Sequence, residues 1–158
     1  MWPFAKPEYH VLVLCTANIC RSPVAEALLI HHLKNHDLAR RVAVGSAGTE
    51  VAASGAAADP RMVALAAQHE INLRRHRSRA VDEAMLANAD LILGMEQVHL
   101  DAVLVRSPEL ADRCELFDYA AHAIADPYYG SKAEVRETFE RIAALSQERA
   151  TQFREHLC

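Results

Sequence analysis

The chain has 158 residues, 51% hydrophobic and 24% charged, a length and balance that suit one globular domain over residues 1–158 and exclude a disordered chain. A net charge of -4 and a pI near 6.1 exclude a general nucleic-acid binder, because affinity for a phosphate backbone needs an excess of clustered cations. The opening MWPFAKPEYH lacks the apolar run of a secretory signal and no later run is long enough to span a bilayer, so no membrane insertion and a cytoplasmic location are expected.

In chain order, His10 to Cys15 is continuously apolar after its first residue, as strands buried on both faces are. Ser22 is a good N-cap and Pro23 suits a first helical position, and Val24, Ala27, Leu28 and Leu33 supply the buried stripe of a first helix. Arg41 to Gly48 reads as a second strand, followed by a loop through Ala58. Asp59-Pro60 opens a second helix to about His69, and a third helical patch spans Val81 to Asn88. Strands are expected at Asp90 to Met95 and Arg113 to Phe117. The last helix starts at Ser131, with Glu134 completing a capping box, and runs to about Phe153 on apolar positions Val135, Phe139, Ile142, Ala143 and Leu145. Strands separated by helices predict right-handed crossovers and a parallel sheet covered on both faces, a three-layer α/β architecture. In such sheets ligands gather at the carboxyl ends of the strands, where Cys15 stands.

Between Cys15 and Arg21 the chain turns from strand to helix through Thr16, Ala17, Asn18, Ile19 and Cys20. Such a turn can aim successive amide N–H groups inward as a nest for an anion, and the N-terminus of the following helix adds its positive dipole end. Phosphate suits that description. Arg21 offers a planar fork for two phosphate oxygens, the same field favours the attacking thiolate, and Ser22 is placed to donate a hydrogen bond to the sulfur as it leaves. Cys-x5-Arg alone is a weak signal whose bland reading is a buried cysteine and a surface arginine; the buried strand before it and the helix after it give it weight. A phosphate-ester hydrolase also needs a general acid. ADPYYG offers Asp126, on a loop before a helix, with Tyr128 and Tyr129 as walls for a flat aromatic substrate.

VLCTANICRSPVAEALL, SAGT, ADPR and DPYYG, in this order, resemble the low-molecular-weight protein tyrosine phosphatases over about Tyr9 to Phe153. The resemblance implies a four-stranded parallel sheet flanked by helices (phosphotyrosine phosphatase I, flavodoxin-like). It also implies hydrolysis of phosphotyrosine through a cysteinyl-phosphate, without metal or other cofactor. By position, Cys15 matches the nucleophile, Arg21 the phosphate clamp, Ser22 the helper of the leaving thiolate and Asp126 the general acid. Asn18 matches the residue that holds the strained loop, with Ser46 and His76 as its supports. Cys20 matches a second loop cysteine that can trap an oxidised Cys15 as a disulfide; its bland reading is a small buried hydrophobe.

Many members of the family carry a bulky aromatic after SAGT. Here EVAASGAAAD, Glu50 to Asp59, has nothing larger than Val51 for that edge of the cleft, so a more open cleft is expected, with Tyr128 and Tyr129 as its aromatic lining. This pattern, with MEQVHLDAVLVRSPELADRCELF, is similar to the bacterial branch that dephosphorylates membrane tyrosine autokinases of capsule and exopolysaccharide synthesis. The implied partner is such a phosphotyrosine protein, with phosphate or a similar oxyanion in the site. The basic run RRHRSR, Arg74 to Arg79, reads as a solvated face or as a dock for an acidic phosphotyrosine segment. Two other functions share these features. Arsenate reductases use the same loop but need two further cysteines close together, whereas Cys114 and Cys158 are far apart in sequence. A non-catalytic phosphotyrosine-binding module would keep the nest without needing Cys15 and Asp126.

Overall fold

The computed structural model describes residues 6–158; the first half of the MWPFAKPEYH segment lies outside them. The strands are β1 (Tyr9–Cys15), β2 (Val42–Gly48), β3 (Leu91–Gly94) and β4 (Cys114–Leu116). The helices are α1 (Arg21–Asn35), α2 (Pro60–Gln68), α3 (Glu83–Asn88), α4 (Gln97–Arg106) and α5 (Lys132–Leu157), with a 3₁₀ turn at Pro108–Arg113. The described residues form one four-stranded sheet of order β2-β1-β3-β4 with every pair parallel, the doubly wound arrangement the sequence predicts.

Alternation along β1 builds the two faces. Val11, Val13 and Cys15 join the core shared with α1, α2 and α5, including Leu29, Met62, Phe139 and Phe153. Leu12 and Leu14 join a smaller core with Leu86 of α3 and Leu100 and Val103 of α4. The chain reverses direction across the sheet beside β1, so the loop leaving Cys15 opens at the switch point where doubly wound sheets bind ligands.

Most boundaries fall within one or two residues of the sequence reading; two helix ends and one whole helix depart from it in ways that matter. Ser22 is not the N-cap of α1: the helix begins at Arg21, Cys20 precedes it, and no side chain caps that end. The Ser22 hydroxyl is instead committed to the loop within the site. A helix unassigned in the sequence, α4, follows β3; its buried face is only His99, Leu100 and Val103, a stripe interrupted by a polar residue. The last helix continues past Phe153 to Leu157. Elsewhere the N-caps stand where they are expected: Asp59 accepts from Arg61 N–H at 2.8 Å, and Ser131 Oγ accepts from Glu134 N–H at 3.2 Å. The Glu134 carboxylate takes the Ser131 hydroxyl at 3.3 Å and not its backbone N–H, so the expected capping box is only half formed.

Candidate active site

Four backbone carbonyls of the loop after β1 are held from outside. Cys15 O accepts from Thr49 N–H (3.0 Å), Thr16 O from Glu50 N–H (2.9 Å) and Ile19 O from Asp59 N–H (2.7 Å). Asn18 O accepts from His76 Nε2 (2.7 Å), which fixes the proton on that nitrogen. In a trans peptide the C=O and the next N–H point oppositely, so these outward carbonyls turn the amides of Thr16, Ala17, Ile19 and Cys20 toward the concave side. That is an anion nest built by its surroundings, at the N-terminus of α1.

Asn18 makes the turn possible. Its φ of 57° lies in the left-handed region, which asparagine tolerates better than most residues. Its buried amide donates to Ser22 Oγ (2.8 Å) and Ser46 Oγ (2.9 Å) and accepts from Arg79 N–H (3.0 Å). With the Ser22 oxygen occupied as acceptor, its proton is free for Cys15 Sγ, 2.9 Å away. Ser46 Oγ passes its own proton toward Glu26 at 3.4 Å, and Glu26 stands 4.0 Å from His76 Nδ1. Burial pushes the Glu26 carboxyl up and the His76 imidazole down, so the pair tends toward its neutral forms.

Arg21 is 1% exposed. Its Nη1 donates to the Glu96 carboxylate and, at 2.7 Å, to Ile124 O. On the other edge, Nη2 lies 3.4 Å from Thr16 Oγ1 and 3.6 Å from Asp126 Oδ2, and Nε has no partner among the described residues. A buried cation whose Nε is unpartnered and whose Nη2 makes only long contacts presents that edge to a doubly accepting oxyanion. Asp126, 44% exposed in its side chain, accepts from Tyr128 N–H at 3.0 Å.

A cleft of about 360 Å³ is lined by Cys15, Thr16, Ala17, Ile19, Cys20, Arg21, Asp126, Tyr128 and Tyr129. The tyrosines meet edge-to-face at 4.9 Å, and Tyr129 is 96% exposed at the rim. Val51, expected at the cleft edge, is not part of the lining; it packs beside Gly48 where β2 meets the loop. Burial, reinforced by Asp59, Asp126 and Cys15 and opposed by Arg21, pushes the Cys20 thiol up to about 12, so at neutral pH it is a protonated thiol.

Sequence reasoning missed Glu96 and His99. The fully buried His99 accepts Glu96 N–H on Nδ1 (3.0 Å) and therefore donates from Nε2 to Thr16 Oγ1 (2.9 Å). Burial, with Arg21 against it and Glu96 and Asp126 opposing, lowers its pKa to about 4. Their signal was position, since both follow the carboxyl end of β3. The basic run is divided: His76 and Arg79 belong to the loop's support, whereas Arg74, Arg75 and Arg77 are exposed. Among the described residues, no three His, Cys, Asp or Glu side chains group as a metal site, and no helix is long and apolar enough to cross a membrane.

Residues 10–157 match the family model for low molecular weight phosphotyrosine protein phosphatase. The chain is 35% identical over 150 residues to the low molecular weight protein-tyrosine-phosphatase Wzb of Escherichia coli K12, covering 94% of this chain and 95% of that one. It superimposes on Vibrio vulnificus Wzb in complex with benzylphosphonate with a TM-score of 0.82 at 30% identity, covering 91% of this chain and 98% of the other. A YwlE arginine phosphatase from Geobacillus stearothermophilus aligns with a TM-score of 0.83 at 29% identity, covering 94% of each chain.

Proposed function

The chain belongs to the low molecular weight phosphotyrosine protein phosphatase family, and from that premise we propose that Cys15, Arg21 and Asp126 carry its hydrolysis of phosphotyrosine, with residues 1–158 acting as one domain. The observation that carries the assignment is the unpartnered Nε of buried Arg21, on the edge that faces Thr16 and Asp126, beside a cysteine whose sulfur lies 2.9 Å from Ser22 Oγ.

In the first step Cys15 Sγ attacks phosphorus in line, the P–S bond forms as the bond to the tyrosyl oxygen breaks, and Asp126 gives that oxygen its proton. The loop amides and Arg21 hold the equatorial oxygens as charge shifts among them. In the second step the Asp126 carboxylate takes a proton from water, the water oxygen attacks phosphorus, and the P–S bond breaks. The Ser22 hydroxyl donates to the departing thiolate, and inorganic phosphate leaves.

Phosphotyrosine suits this cleft better than phosphoarginine: its larger apolar walls are Ile19 of the loop and the two tyrosines, and among the described lining residues Asp126 is the single carboxylate to meet a guanidinium. The proposed physiological substrate is a cytoplasmic phosphotyrosine segment of a membrane tyrosine autokinase in capsule or exopolysaccharide synthesis, in keeping with the likeness to the Wzb phosphatases. Arsenate reduction is disfavoured by geometry. Cys114 begins β4, and Cys158 lies 3.8 Å from Arg41 just before β2, so both stand at the amino end of the sheet, opposite Cys15.

The test is turnover of a phosphotyrosine peptide and a phosphoarginine peptide, each with chelator present. The parent should hydrolyse the first, Cys15→Ser should be inactive, and Asp126→Asn should be slower by about 10²–10⁴-fold. An active Cys15→Ser enzyme would refute the mechanism, and comparable kcat/KM on phosphoarginine would refute the substrate class.

A further inference from the structure

Asp126 stands on the segment between β4 and α5, and one point of that segment is firmly tied. Ile124 N–H donates to Met95 O at 2.8 Å, and Ile124 O accepts from Arg21 Nη1 at 2.7 Å. The stretch before it, residues 118–123, is exposed after its first residue and carries one internal backbone bond, Ala121 N–H to Asp118 O at 2.9 Å. Within it Ala121 sits at φ 63°, a conformation that costs an L-residue about 1–2 kcal/mol. A turn with so few bonds and that cost needs an outside restraint to hold one shape.

Arg149 of α5 stacks on the Tyr119 ring at 4.5 Å, but the restraint that reaches both ends of the turn is Arg141 of the same helix, a residue to which the mechanism above gives no part. Its Nη2 donates to Asp118 Oδ2 at 2.8 Å and its Nη1 to Ala123 O at 2.9 Å, so one planar fork clasps both ends of the turn. Asp118 is itself fixed, being largely buried and accepting Ala120 N–H on Oδ1 at 2.9 Å. The second clasped carbonyl, Ala123 O, immediately precedes the one Arg21 holds. Two arginines thus fix consecutive peptide planes two residues before the carboxylate.

We propose that Arg141 is a positioning residue for proton transfer: by clasping Asp118 and Ala123 it sets the direction in which the chain leaves Ile124, and so places Asp126 over the departing oxygen. The proposal rests on the reading of Asp126 as the general acid. It makes Arg141 matter in proportion to how much the leaving group needs a proton. A tyrosyl oxygen is a poor leaving group and needs the acid; 4-nitrophenolate departs readily without it.

The experiment compares kcat/KM, which reports the steps through loss of the leaving group, for phosphotyrosine and for 4-nitrophenyl phosphate. Arg141→Met should lower kcat/KM for phosphotyrosine by about 10- to 100-fold, the scale of a small misplacement of a reacting group, and for 4-nitrophenyl phosphate by less than about threefold. Added to Asp126→Asn, it should change neither substrate further. Asp118→Asn, which spares the Arg141 bond to Ala123, should give the same selectivity at smaller size and serves if Arg141→Met does not fold. Equal losses on both substrates, no loss on phosphotyrosine, or an undiminished loss in the Asp126→Asn background would overturn the role of Arg141. If Asp126→Asn itself shows no leaving-group selectivity, the acid assignment falls, and the proposal with it.

Discussion

Asn18 and Ser22 show how much of a catalytic loop can hang on two short polar side chains. Asn18 has both amide protons and its amide oxygen in use, which locks the left-handed turn and fills the acceptor side of the Ser22 hydroxyl. Ser22 is left with one proton and one partner, Cys15 Sγ. A hydrogen bond to a charged group contributes about 1.5–3 kcal/mol, and sulfur carries most negative charge as it leaves phosphorus. Replacing Ser22 with Ala should therefore slow breakdown of the cysteinyl-phosphate by about 10- to 100-fold. In rapid mixing the variant should release a stoichiometric burst of phenol and then turn over slowly. A variant that lowers burst and steady state alike would place the Ser22 bond in the attack step instead.

At the scale of elements, the site depends on how closely β2 approaches the loop. A Cβ on Gly48 would stand 2.5 Å from Thr16 O and 3.0 Å from the Ala17 carbonyl carbon, both backbone atoms that cannot swing aside. Gly48→Ala should push the nest out of shape, weakening inhibition by inorganic phosphate by about tenfold or more with about 1–3 kcal/mol of lost stability. Gly55→Ala is the comparison: its φ of 92° also disfavours alanine, but a Cβ there meets nothing within 4 Å, so stability should fall with phosphate affinity unchanged. Equal phosphate affinity in both variants would remove the packing argument. What the sequence made legible at this scale follows from local chemistry. The apolar run of β1, the Asp59 and Ser131 caps and the Cys15–Arg21 spacing are each decided within a few residues. The start of α1 was misread because Ser22 has the chemistry of a cap and spends it on the thiol. Helix α4 went unread because a buried His99 does not look like core. Glu96 binds Arg21 across 75 residues, a pairing that only the strand order β1-β3 brings about.

Across the whole molecule, buried imidazoles make the fold sensitive to mild acid. His99 is held at about 4 against an ordinary 6.5, so between those values the unfolded chain binds a proton that the native state refuses. Its contribution to stability is complete above pH 6.5 and is lost as pH falls toward 4, with an upper bound of about 3–4 kcal/mol. His76, lowered by burial, adds in the same direction. Glu26 acts oppositely, because a carboxyl raised by burial favours the native state when protonated. Asp118 is buried yet held below the usual carboxylate range by the Arg141 bond and the Ala120 cap, so its share is lost only in stronger acid, below about 3.8. Urea unfolding at a series of pH values should therefore show stability falling first between pH 6.5 and 4. His99→Gln retains a donor for Thr16 but cannot titrate. It should start less stable at pH 7 and lose distinctly less over that interval, and a slope as steep as the parent's would show that the acid sensitivity lies in other groups.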